Sequence, residues 1–221
     1  MITSRIRKIA IAGVLSAVVI VLGLTGLGFI LLPLGAISIL HVPVIIGAIL
    51  EGPLTGLFIG LLFGIFSIIQ AALLAVSPVD LAFLHYPFIA IVPRILIGPA
   101  AWAVYALISG TSRAESGDPA GFKPHVLRES IGVAAAAVTG TLVNTVLVLS
   151  ALVLFVPEVT FPIALAVGIT NGPVEAGIAA AIALAVVLTW KRIPRRGGKS
   201  RLTREAEKSA GQAGLDKRQD F

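Results

Sequence analysis

IAIAGVLSAVVIVLGLTGLGFILL, residues 9–32, holds no charged side chain, and its reading decides the fold class. A helix needs about 20 apolar residues to cross the hydrocarbon core of a bilayer. This run has them, so it reads as a membrane span. Arg5, Arg7 and Lys8 in front of it resemble the basic start of a secretory signal. The run is too long for that, and no small-residue cleavage pattern closes it, so the expectation is an uncleaved first span.

The rest of the chain has the same character. Of its 221 residues, 57% are hydrophobic and 13% charged, with a mean hydropathy of +1.02. That is too little polar surface for a soluble globule of this length. Breaking the chain at Gly, Pro and charged residues gives spans near 9–32, 36–50, 53–76, 81–109, 129–155 and 161–190. The connections are Pro33-Leu34-Gly35, Glu51-Gly52-Pro53, Ser77 to Asp80, a polar loop from Gly110 to Arg128, and Val156 to Thr160. The predicted fold is all-α: a polytopic protein of the cell membrane, with six transmembrane helices in one bundle over residues 1–190.

Lys and Arg are retained on the cytoplasmic side of short loops. Here they cluster before the first span, in the fourth loop (Arg113, Lys123, Arg128) and from Lys191 to Arg218, which leaves only Arg94 elsewhere. An even number of spans puts all three clusters on one side, so both termini are expected inside. Trp102, Tyr105 and Trp190 then fall at the cytoplasmic interface, where amphipathic rings are favoured. The tail over 191–221 is basic and lacks apolar periodicity; it is expected to be disordered and drawn to anionic membrane lipid. The net charge of +6 follows from this topology and gives no sign of nucleic-acid binding.

Polar groups at bilayer depth are costly, so the few present are the functional candidates. Counting from the outer ends at about 1.5 Å per residue, Arg94, Asn144, Asn171 and Glu175 fall into one layer contributed by three spans. Asn171 and Glu175 share a helix face, as do Thr141 and Asn144. Arg94 follows Pro93 in a span that also carries Pro87 and Pro99, so backbone carbonyls are freed beside a planar donor fork able to hold a carboxylate or phosphate. Two readings are open: a solute site, or a buried Arg94–Glu175 ion pair joining two helices. The asparagines can likewise bond between helices or to a ligand. His41 and Gln70 sit shallower and can line an entrance or serve packing. Gly13 with Ala17, or Ala12 with Ser16, form small-residue faces for internal packing or partner docking.

The absences narrow the function further. Without cysteine there are no disulfides, thiolate metal sites or cysteine nucleophiles. No phosphate-binding Gly-x-x-x-x-Gly-Lys loop, no His-Glu-x-x-His, no Gly-x-Ser-x-Gly and no metal-holding carboxylate cluster occurs in the sequence. The expectation is a non-enzyme with no metal and no cofactor of its own, dependent on a partner for energy.

Three stretches carry a resemblance: His41 to Pro53 (HVPVIIGAILEGP), Pro93 to Gly98 (PRILIG) and Gly140 to Thr145 (GTLVNT), with Asn171 and Glu175 completing it. In their order and spacing the chain resembles the substrate-binding S components of energy-coupling factor (ECF) vitamin transporters, most of all the pantothenate-type and related groups. The resemblance implies a six-helix subunit that captures a vitamin from outside and works with a membrane scaffold subunit and two cytoplasmic ATPases, which use the ATP. It implies docking on the scaffold through the small residues of the first span, and Arg94 with Asn144 suit a small carboxylate bearing hydroxyls and an amide. Two other classes stand beside this one. A structural or assembly protein would pair Arg94 with Glu175, and a proton-coupled secondary carrier would use Glu175 as its proton site.

Overall fold

The computed structural model describes residues 2–32, 35–74, 78–110 and 124–192. In chain order its elements are α1 (Ile2–Leu24), β1 (Phe29–Leu32), β2 (Gly35–Ser38), α2 (Val42–Glu51), α3 (Pro53–Leu74), α4 (Pro78–His85), α5 (Pro87–Ser109), α6 (Pro124–Phe155) and α7 (Phe161–Arg192). Five of the helices, α1, α3, α5, α6 and α7, are long and apolar enough to cross a membrane. The polar loop at 111–123, with Arg113 and Lys123, and the basic tail from residue 193 lie outside the described residues.

Three of the expected spans need correction. The first span ends at Leu24 instead of Leu32, and the segment 36–50 is not a full-length helix. Gly26 adopts a φ of 72°, a left-handed conformation that stops α1. The last helical carbonyls are taken up locally, by Thr25 N on Val21 O (3.0 Å) and Gly28 N on Leu22 O (2.9 Å). The chain then forms an antiparallel hairpin pairing Phe29 with Ser38 and Leu32 with Gly35, extended by Ile39 N on Gly28 O at 2.9 Å. In an unbroken apolar run, periodicity cannot separate a buried strand from a buried helix, and this is why the hairpin escapes a sequence reading.

Helix α2 has ten residues, about 15 Å, or half the thickness of the hydrocarbon core. It is apolar all round and buried from Val42 to Ile49, the pattern of a helix enclosed by others. α1, α3, α5 and α6 all pack around it. Its C-terminal carboxylate, Glu51, is 1% exposed and pairs with Arg7 of α1 at 2.8 Å. The beginning of α1 and the end of α2 therefore lie at the same end of the bundle.

The fourth expected span is also divided. Pro87 disfavours helical backbone in the residue before it, and Tyr86 accordingly sits at φ −129°, ψ 74°, separating α4 from α5. Among the closest helix pairs is α3 with α5. Gly56, Gly60 and Gly64 form a stripe on α3 against which α5 lies with no side chain between. A methyl group on Gly60 would strike the Arg94 carbonyl, one on Gly64 would come within 2.8 Å of Ile91 Cα, and one on Gly56 within 2.8 Å of Gly98 Cα.

Candidate functional site

The site is organised by the backbone fault at Pro93. Proline has no N–H, so the carbonyl four residues earlier, on Ile89, loses its helical partner. Arg94 Nη1 donates to that oxygen at 3.0 Å. The guanidinium carbon lies 4.8 Å from the Phe83 ring centroid and 5.5 Å from that of Phe63, an arrangement that stabilises a cation electrostatically. Arg94 is buried, and its Nε has no hydrogen-bond partner.

Glu175 does not balance that charge. Its Oε1 accepts the Ser38 backbone N–H at the foot of the hairpin (2.8 Å), and its Oε2 faces the Thr145 hydroxyl at 3.5 Å. Among the described residues Arg94 and Glu175 form no ion pair with each other, whereas Arg7 and Glu51 do. Asn171, one turn before Glu175, is buried, and the Thr170 hydroxyl lies 3.4 Å from its Oδ1. Asn144 Oδ1 is buried without a partner.

His41 is buried within the bundle, 1% exposed. Its Nε2 lies 2.9 Å from Thr141 Oγ1, and the Thr141 hydroxyl donates to Ala137 O at 2.9 Å. Arg94 is near enough to act on the ring electrostatically. The structure thus ties His41, Thr141, Arg94, Glu175 and the hairpin into one polar region. Gln70 is engaged elsewhere, donating to Gly23 O at the end of α1 (3.2 Å). Ser38, Thr145, Phe63 and Phe83 are the site residues that sequence reasoning misses. Phe83 depends on the separate α4, and Ser38 on a hairpin that hydropathy does not reveal.

On α1 the two small-residue faces part company. Ala12 and Ser16 are buried, whereas Gly13 and Ala17 face outward, and nothing lies within 4 Å of a methyl built on Gly13. Gly13 borders a groove of about 530 Å³ between Lys8, Ile9 and Ala12 of α1 and Leu54, Phe58 and Leu62 of α3.

Residues 7–187 match the family model described as the ECF transporter, substrate-specific component. The chain belongs to this family. Its members are transport subunits embedded in the membrane, in keeping with five apolar helices of spanning length in a multi-pass membrane protein. Over 131 residues the chain is also 31% identical to the pantothenic acid transporter PanT of Lactococcus lactis subsp. cremoris (strain MG1363). That match covers 53% of this chain and 57% of the relative, so the chain spans little more than half the length of the curated protein it resembles.

Proposed function

We propose that the chain is the solute-capturing subunit of an ECF-type transporter, and that its solute is a small carboxylate carrying hydroxyl and amide groups, with pantothenate the leading case. Uptake is driven by ATP hydrolysed on two partner ATPases and transmitted through a membrane scaffold subunit. The observation that carries this reading is Arg94, a buried cation with no carboxylate paired to it among the described residues and an unpartnered Nε. An uncompensated charge in a low-dielectric interior is expensive, and a guanidinium fork matches a carboxylate in shape and charge. Asn144 Oδ1, also unpartnered, is available to a solute hydroxyl or amide N–H. The pantothenic acid transporter among the relatives agrees with this chemistry.

The hairpin with α2 counts as one crossing in this reading, which gives six and leaves both termini in the cytoplasm. Two features support it: the distribution of Lys and Arg, and the Arg7–Glu51 pair at the end that carries the N-terminus. Scaffold docking falls to the outward face of Gly13 and Ala17, because Ala12 and Ser16 are occupied inside the bundle.

Native mass spectrometry of the detergent-purified chain, alone and as Arg94→Ala, tests the reading without assuming a ligand. The expected result is a vitamin-sized mass bound to the parent and lost from a still-folded variant. An empty parent that also shows no thermal shift with a vitamin panel would return the chain to a structural role.

A further inference from the structure

We propose that the groove between α1 and α3 binds an acidic phospholipid, with one acyl chain along the groove and the headgroup phosphate at its Lys8 end, whatever solute the chain carries. The groove follows from how the two helices meet. Toward the end of α1 they touch: a methyl group on Gly23 would strike the Phe66 ring of α3, and Gln70 donates to Gly23 O at 3.2 Å. Toward the beginning of α1 a space of about 530 Å³ is left between them. Both walls start at the same end of the bundle, because the Arg7–Glu51 pair joins the beginning of α1 to the turn that leads into α3. From there the groove follows Leu54, Phe58 and Leu62, one per turn of α3, for about 12 Å. Leu54 is 79% exposed and Phe58 49%, so this wall is not packed against the rest of the chain.

Lining and mouth together decide what fills the groove. Apart from Lys8 and the buried Thr55 the lining is apolar. Water needs several polar partners to occupy such a space, and an empty groove forfeits the dispersion contacts of its walls. Hydrocarbon is the filling that these walls accept. The mouth, by contrast, is positive. Lys8 forms no ion pair among the described residues, and Glu51, the acid at that end, is 1% exposed and committed to Arg7. Leu54 and Thr55 lie in the first turn of α3, which puts the positive end of that helix dipole on the opposite wall. A basic residue beside an interhelical pocket is the pattern that holds lipid phosphate. An acidic phospholipid satisfies the charge with its head and the shape with its chain.

For the test, the full chain is delipidated in detergent and titrated with phosphatidylglycerol or with phosphatidylcholine of the same acyl chains, and native mass spectrometry reads the lipid-bound fraction. Phosphatidylglycerol is expected to bind roughly 5- to 20-fold more tightly. Lys8→Gln should remove about fivefold of that preference, and Lys8→Arg should keep it. Arg5→Gln makes the same charge change outside the groove lining and should leave the preference intact. Gly13→Leu, at a position with open space around it, fills the groove and should weaken both lipids roughly tenfold, the worth of about two buried methylenes. Lys8 and Arg5 are exposed, so their variants decide the matter if Gly13→Leu does not fold. Equal binding of the two lipids, or equal losses in Lys8→Gln and Arg5→Gln, overturns the proposal. So does a Gly13→Leu chain that binds lipid as the parent does but no longer co-purifies with a scaffold subunit, which would give the groove to that partner.

Discussion

The seam between α3 and α5 and the polar region between the hairpin, α6 and α7 are built on opposite principles. In the seam, Gly56, Gly60 and Gly64 bring two backbones into direct contact, and an added methyl group at any of them would collide. The polar region is held by single bonds, Ser38 to Glu175, Thr145 to Glu175 and His41 to Thr141, and it leaves polar atoms unmet. Arg94 has its carbonyl against Gly60 and its guanidinium on Ile89 O between the Phe63 and Phe83 rings. The Arg94 backbone is thus fixed by close packing while its Nε is left without a partner, the arrangement that the proposed solute capture would require.

Substitutions that act on one side only will test this division. The largest effect expected is Arg94→Ala on solute affinity, a loss of about 2–5 kcal/mol as for other buried charge partners, with the melting temperature little changed. A matching drop in stability would mean that the guanidinium holds the fold and not the solute. Next comes Gly60→Ala, which places a methyl against the Arg94 backbone and should cost about 1–3 kcal/mol of stability by overpacking. Thermal unfolding in detergent reads that cost, and titration of the surviving folded protein should show weakened binding because Arg94 is displaced.

Glu175→Gln removes the charge from the bond to Ser38 N–H. The hairpin should loosen by about 1–2 kcal/mol, seen as faster amide exchange at Ser38 while exchange in α3 and α5 is unchanged. Pro93→Ala restores the N–H that Ile89 O lacks and so competes with Arg94 Nη1. Binding should weaken by about 0.5–1.5 kcal/mol, the worth of one hydrogen bond, without loss of stability. Gly13→Ala is the control, with open space around it. Stability should stay within about 0.5 kcal/mol, and only co-purification with a scaffold subunit should fall.

Much of this was legible in the sequence, because lipid imposes hydropathy and topology directly. Four of the expected spans correspond to α3, α5, α6 and α7 within a few residues at most ends, and the prolines around Arg94 announce the broken ladder there. The α3 glycines, spaced four apart, were equally visible and are the signal that a reading confined to the first and last spans overlooks. The hairpin was not legible, since its residues are as apolar as those of the helix before it. Partner choice was not legible either: Arg94 and Glu175 share a depth, but which groups they face depends on Phe83 in α4 and Ser38 in β2.

The shortness of α2 has an electrostatic consequence. A helix of full length ends in the headgroup region, where water screens the partial positive charge of its N-terminus, about half an elementary charge. α2 starts within the bundle instead, at the fully buried Val42 next to His41. The positive end of its dipole therefore lies in a place solvent does not reach, where it is screened far less than at a headgroup.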